Sequence, residues 1–445
     1  MSNFARLRQQ LFRPTDATSV QLFLRLFGVV VILQAISFTN ASYIAQGILA
    51  PRFLFQYDFF SFIRPLPEDA MKFVLLLMAA SGLMLVLQKG VRAALITFIF
   101  SFGYFFLLEK SYYNNHFYLF LLIAFVYLFC HPRRDANGKQ YIPYWLLLLL
   151  QVQIVIVYFY GGLVKLNPDW LMRQQPMRIL LQDSSQNALL PDLSRSDFAL
   201  YLLTYGGLAF DLLIGFALWS KKYRKPAMIT AIAFNLSNLT IFNFGDNGDI
   251  GGFPVFMIFT LILFLEPELV AQKWNTLTGN KKAAAPAMPP SFDTEHSLTL
   301  TLLTVYMSFQ LLFPLRHLLF PGNTNWTTFA SRFAWRMKSH SSQGSVRVFV
   351  RGKAGEPLQE INIGNLINSM QRFYMTENPV MMWQFAQYLG RELNDRGNAH
   401  PEVYIHSMLS LNGRPAQPLV DSTVNMLSLE HNRFAPDKWI LPLKD

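Results

Sequence analysis

Nine stretches of this 445-residue chain are apolar for long enough to enter or cross a bilayer, and this limits the possible folds more than any other feature. Inside hydrocarbon a segment must satisfy its own backbone donors and acceptors, so each stretch is expected to be a helix. The runs are Val20–Phe38, Met71–Leu87, Val91–Leu108, Phe117–Phe129, Ile142–Tyr160, Phe198–Trp219, Ala227–Phe244, Phe253–Leu265 and Leu298–Phe320. They predict an α-helical polytopic membrane bundle of about nine spans, with Phe117–Phe129 and Phe253–Leu265 short enough to be tilted or half-buried. The start, MSNFARLRQQLFRP, is basic and runs into a long span without a small-residue cleavage site, so the first span is expected to serve as its own anchor.

A net charge of +11 would suggest nucleic acid in a soluble protein. In a chain with 52% hydrophobic and 15% charged residues, the basic groups instead sit in loops between apolar runs, where they set topology. The clusters are Arg6, Arg8 and Arg13; Lys89 and Arg92; Arg133, Arg134 and Lys139; Lys221, Lys222, Arg224 and Lys225; and Lys273, Lys281 and Lys282. With nine spans all five fall on one side, which the positive-inside rule makes the cytoplasm. The amino terminus is therefore expected inside and the carboxyl terminus outside. A Pro/Ala-rich segment, NKKAAAPAMPPS, forms a cytoplasmic linker near 280–297 before the last span.

Composition divides the chain into a transmembrane part, 1–320, and a soluble part, 321–445, on the outer face. GSVRVFVRGKAGEPLQEINIG reads as two strands around a turn, Pro379–Asp395 as an amphipathic helix, and the region near Glu402–Leu411 as a strand pair. A mixed, strand-rich domain is expected. The single cysteine, Cys130, means that this domain folds without an internal disulfide.

One motif joins the membrane to chemistry. In QVQIVIVYFYGGLVKLNPDWL an apolar run closes on two glycines and then Lys165, which has no charged neighbour within a helical turn. Such an amine either snorkels to the headgroups or is held in a polar pocket. Glu109 ends the third run, His116 opens the fourth and Lys165 ends the fifth, so all three belong at the outer membrane boundary. Asn114 and Asn115 add amides beside His116, although an interfacial histidine bonded to a loop carbonyl would look the same. Asp211, in GGLAFDLLIGF, is a buried acid that needs a partner; it is either helix glue, with Arg25 as one candidate, or part of the site. Asn235 and Asn238 serve equally as interhelical hydrogen bonds or as ligand contacts.

Other chemistries lack their signatures. The chain has no haem-ligand histidine pair at membrane depth, no dinucleotide or phosphate loop and no Cys/His cluster. GDNGDIGG lacks the alternating acids of a calcium loop, so no metal is expected.

Four separated motifs carry a resemblance: EKSYYNNHFYL, YFYGGLVKLNPDWL, FPLRHLLFPGNTNWTTFASRFAWRMKSH and VYIHSMLSLNGRPAQPLVD. In order, from about Arg25 to Trp439, they resemble the vitamin K-dependent gamma-carboxylase family and its bacterial relatives with the horizontally transferred transmembrane (HTTM) domain. The resemblance implies a membrane enzyme, a lyase and epoxidase. It oxygenates reduced vitamin K, or a related quinone, to the epoxide and uses the strong base so formed to remove a γ proton from a protein glutamate. Molecular oxygen and carbon dioxide are the co-substrates, and the carbanion captures the carbon dioxide. The family's Gly-x-x-Lys-Leu-x-x-x-Trp lysine falls on Lys165, the base toward the hydroquinone, and its Asn-Asn-His histidine on His116. Burial disfavours a charged amine, which suits that base. Arg414 and His340 fall on family positions tied to glutamate binding or nearby catalytic surface; a guanidinium can clamp a carboxylate in two places, or Arg414 can stabilise its own turn.

The chain departs from the family in places. Asn235 stands where a histidine is usual and cannot accept a proton near neutral pH, and Val164 replaces the first of two adjacent lysines in animal members. No long carboxyl-terminal extension of the kind animal enzymes carry is expected after the LNGR segment. Full carboxylation is the first expectation. The alternatives are a quinone epoxidase without carboxylation and a non-catalytic binding or transport scaffold. The expected partners are the bilayer, the quinone and a glutamate-containing protein on the outer face, and the expected location is the bacterial inner membrane.

Overall fold

The computed structural model describes residues 3–184, 196–242, 251–279, 288–292, 297–353, 355–398 and 400–444. Among these, six helices are long and apolar enough to cross a membrane: Thr18–Asn40, Glu68–Leu87, Val91–Leu108, Tyr144–Leu163, Asp197–Trp219 and Leu298–Leu319. Phe253–Phe264 and Pro267–Leu277 meet at 106° and make a seventh if the pair is one span. The chain is thus an integral membrane protein with six or seven candidate spans among the described residues, fewer than the nine expected. The difference lies in three of the expected runs. Phe253–Phe264 counts only together with the next helix, and the 19-residue Arg224–Phe242 helix, at the expected Ala227–Phe244, is not among the candidate spans. Asn115–Leu128 is an apolar helix too short to be counted, and the linker expected near 280–297 and the GDNGDIGG loop fall largely outside the described residues.

Tyr144–Leu163 is the central helix, with 78% of its apolar window buried, against 11% for the peripheral Leu298–Leu319. Phe73, Leu76, Phe100, Leu213 and Ile229 are exposed on the outside of the bundle, the face a bilayer would cover. Thr18–Asn40 and Glu68–Leu87 cross in close contact, because a Cβ at Gly28 would lie 2.5 Å from the Gly82 carbonyl oxygen. At the basic end a small antiparallel sheet unforeseen in the sequence joins β1 (Pro14–Asp16), β2 (Arg133–Arg134) and β3 (Gln140–Pro143) in the order β1-β3-β2. Lys139 pairs with the buried Asp16 at 2.7 Å. Two of the basic loops therefore share one end of the bundle.

The carboxyl-terminal part carries a four-stranded antiparallel sheet in the order β5-β4-β6-β7, formed by β4 (Ser342–Arg351), β5 (Gln359–Ile361), β6 (Glu402–Leu411) and β7 (Gln417–Pro418). The expected hairpin is present, with Val348 opposite Ile361 and Val350 opposite Gln359. Strand β6 alternates as a half-buried strand should, turning Val403, Ile405, Leu409 and Leu411 inward. They pack on Met381, Met382, Phe385 and Leu389, the apolar stripe of the Pro379–Asp395 helix, and Phe55 from the bundle side joins this core.

A histidine also ties the two parts together. His431 Nδ1 lies 2.7 Å from Asp437 Oδ2, and its Nε2 lies 3.8 Å from Asp58 in the segment before Glu68–Leu87. Burial alone would lower its pKa, but the hydrogen bond to Asp437 and the nearby negative charges of Asp437 and Asp58 outweigh burial and raise it to about 9. The unfolded value is about 6.5, so the stabilisation is complete below that pH and is lost as pH rises through about 9. Thermal unfolding of His431→Gln beside wild type should show a large gap at pH 6 that narrows by pH 10. A constant gap would remove His431 as the titrating tie.

Candidate functional site

Close helix packing brings Lys165 to its partner. Gly162 lets Tyr144–Leu163 approach the Asp197–Trp219 helix so nearly that a Cβ there would stand 3.0 Å from the Leu212 backbone nitrogen. Asp211, one residue earlier, accepts a hydrogen bond from Lys165 Nζ, and both side chains are buried. The Trp170 ring lies 4.9 Å from the same Nζ and is anchored by its indole N–H on Thr204 O at 2.9 Å. Lys165 is therefore neither snorkelling nor an isolated amine. Arg25, the partner considered for Asp211, instead donates to the Val86 carbonyl.

This ion pair lies in the wall of a cavity of about 370 Å³ that runs from the bundle to the sheet domain. Val157, Phe234, Phe253 and Met257 make its apolar side. Of the residues singled out in the sequence, Lys165, Asp211, His116, Asn115, Asn235, Asn238 and His340 all line it. His116 is buried, with its ring stacked on Phe253 at 5.5 Å, and its backbone N–H is capped by Asn114 Oδ1 at 3.5 Å. Asn115 accepts from the Tyr113 hydroxyl at 2.9 Å and donates to Arg336 O at 3.1 Å, which fixes the wall to the segment after the last span. Asn235 donates to the Tyr158 hydroxyl at 3.1 Å, and Asn238 lies a turn beyond it.

His340 enters from the sheet side, 3.9 Å from Glu377 Oε2 and 3.5 Å from the Ser339 hydroxyl. Burial lowers its pKa, only partly offset by Glu377. The imidazole is thus favoured in its neutral form near pH 7, able to accept or donate one proton at the cavity.

Two expected members lie outside the cavity. Glu109 is fully buried and accepts from Phe55 N at 2.7 Å, Gln371 Nε2 at 2.7 Å and Ser111 N at 2.8 Å. Burial keeps its carboxyl above the usual range despite those donors. It pins the end of a span to the sheet domain and does not face the cavity. Arg414 does form a two-pronged clamp, but the carboxylate belongs to its own chain: Nη1 and Nη2 lie 2.8 and 2.7 Å from the oxygens of Asp169. Asn412 Nδ2 adds a third bond to Asp169 at 2.7 Å. Burial alone would raise the Asp169 pKa, and the bonds from Arg414 and Asn412 outweigh it and hold the carboxyl below its usual range.

Four residues of the run KLNPDW thereby have assigned contacts. Lys165 meets Asp211, Asn167 caps the short Pro168–Leu171 helix, Asp169 meets Arg414, and Trp170 underlies the lysine. Sequence reasoning missed Tyr158, Lys110, Arg332 and Arg336 as cavity residues. Tyr158 lies seven positions before Lys165 on the helix that leads to it; the arginines come from an irregular segment whose placement has no periodic signal. Among the described residues no group of three or more His, Cys, Asp or Glu could hold a metal ion.

Residues 12–269 match the family model of the HTTM domain, and residues 295–445 match that of the vitamin K-dependent gamma-carboxylase lumenal domain. The second match includes the last span as well as the sheet. No solved structure matches the chain. The two models follow each other along one chain and together take in both walls of the cavity, and on these grounds the chain is a gamma-carboxylase-like integral membrane protein that belongs to the vitamin K-dependent gamma-carboxylase family.

Proposed function

We propose that this chain acts on a reduced quinone of the vitamin K type and couples its oxygenation to carboxylation of a protein glutamate. The observation that carries the reading is the shared cavity, where Lys165 with Asp211, His116 and His340 face one another across an apolar floor. When bound, the reduced quinone supplies with oxygen the strong base that a glutamate γ proton requires. The donor set suits such a group, because Val157, Phe253 and Met257 offer apolar contact and the Lys165–Asp211 pair offers a proton acceptor in the same cavity.

The chain's own residues then have distinct tasks. Lys165 and Asp211 together carry no net charge; with the shared proton shifted from Nζ onto Asp211 Oδ2, the neutral Lys165 Nζ can take up a phenolic proton at lower cost than an isolated buried charge. Trp170 covers Lys165 Nζ, Phe253 covers the His116 ring, and Asn115 ties the bundle to the segment after the last span. His340 stands on the sheet side, where a glutamate peptide arriving from the aqueous phase would enter. We place the transmembrane part at 1–320, the soluble part at 321–445, and the chain in a bacterial inner membrane with its basic loops in the cytoplasm.

A second reading, quinone epoxidation without carboxylation, is favoured by two observations: Asn235 replaces a histidine, and Arg414 is already engaged by Asp169. Both readings require quinone turnover. Oxygen uptake on adding reduced vitamin K to the purified protein in detergent should be saturable; no uptake by folded protein would sink both.

A further inference from the structure

Lys110 is buried at 4% exposure, lines the same cavity and has no task in the chemistry above. The short turn Lys110–Tyr112 presents it between two apolar helices, held by its backbone N–H on Phe55 O at 2.9 Å. Among the described residues its amine has no ion-pair or hydrogen-bond partner. The charged groups facing it are Arg332, Asp58 and Glu109. Glu109 is committed to its three donors and Asp58 faces His431, so neither carboxylate closes on the amine. Arg332 lines the cavity too; its guanidinium lies over the Tyr113 ring at 6.0 Å and contacts Met381 Sδ at 3.9 Å. Burial first, and then Arg332, bring the Lys110 amine down to about 7, so a fraction of it is neutral at physiological pH.

A neutral, partnerless amine opening onto a cavity beside a fixed guanidinium is equipped for one reaction above others. We propose that Lys110 takes up carbon dioxide as a carbamate, with Arg332 pairing the new anion. The Nζ lone pair forms a C–N bond to carbon dioxide, the electrons of one C=O π bond move onto oxygen, and Nζ releases one proton to solvent. The products are a carbamate anion and a proton, with no change of oxidation state. The modification stands by itself; its use as a local carbon dioxide store rests on the proposed carboxylation.

The test uses the full-length wild-type protein in detergent without quinone. After equilibration with ¹³C-bicarbonate, the carbamate is trapped with a trialkyloxonium reagent and mapped by peptide mass spectrometry. Labelled carbamate is expected on Lys110 and not on the exposed Lys72, about tenfold more at pH 8 than at pH 6. An unlabelled Lys110 in folded protein, or equal labelling of Lys72, overturns the proposal. The wild-type map decides without any variant having to fold, and Lys110→Met should abolish the labelled peptide where it does. Epoxide formation, scored separately without bicarbonate, distinguishes failure of this site from failure of the enzyme reading.

Discussion

Replacing Lys165 with alanine is expected to cut hydroquinone turnover by about 100-fold to 10,000-fold, the contribution of a positioned acid or base. The structure adds a second effect. Asp211 would be left buried without its partner, and breaking a buried pair from one side costs about 3–5 kcal/mol. Loss of activity in the single variant therefore mixes chemistry with stability. Lys165→Met combined with Asp211→Leu removes both charges and should recover most of the lost melting temperature while leaving turnover abolished. Turnover restored along with stability in the double variant would remove the pair from the mechanism.

Arg414→Ala should lower stability, by up to about 3–5 kcal/mol, because it removes both guanidinium bonds from the buried Asp169 and leaves it only Asn412 and the more distant Arg173. The turn that carries Arg414 is held against the loop that carries Lys165, so quinone turnover and glutamate-dependent carboxylation are expected to fall together. Thermal unfolding with both activity assays on the same preparation checks this. Unchanged quinone turnover with a selective loss of peptide stimulation would return Arg414 to substrate binding, the role its two-pronged chemistry first suggested.

Both predictions turn on pairings that the sequence could not supply. Hydropathy located most of the helices, because burial in lipid imposes a length and a composition, whereas the strand pair expected near Glu402–Leu411 is one continuous strand of ten residues. The same reasoning placed Lys165, His116 and the asparagines at one boundary. Periodicity reports that a polar side chain is buried and says nothing of what it meets. Asp211 lies 46 positions from Lys165, and Asp169 lies 245 from Arg414; only the packed structure joins them. Asp169 was even inside the recognised motif, beside the lysine that drew attention away from it. Glu109 shows the converse: correctly assigned to the boundary, it faces Phe55 and Gln371 and not the cavity, because a residue ending a helix can point to either side. The span count fell short of nine in three places: Asn115–Leu128 is short, Phe253–Phe264 meets the next helix at 106°, and Arg224–Phe242, which takes in most of the expected Ala227–Phe244, is not among the candidate spans.

The central claim is that one cavity joins quinone chemistry to carboxylation. It is tested most directly by incubating the purified protein in detergent with reduced vitamin K, oxygen, labelled bicarbonate and a glutamate-containing peptide, scoring epoxide and fixed label separately. The account predicts both products, with label fixed only when epoxide forms. Epoxide without label would contradict the carboxylation half and direct attention to Asn235, and neither product from folded protein would contradict the account as a whole.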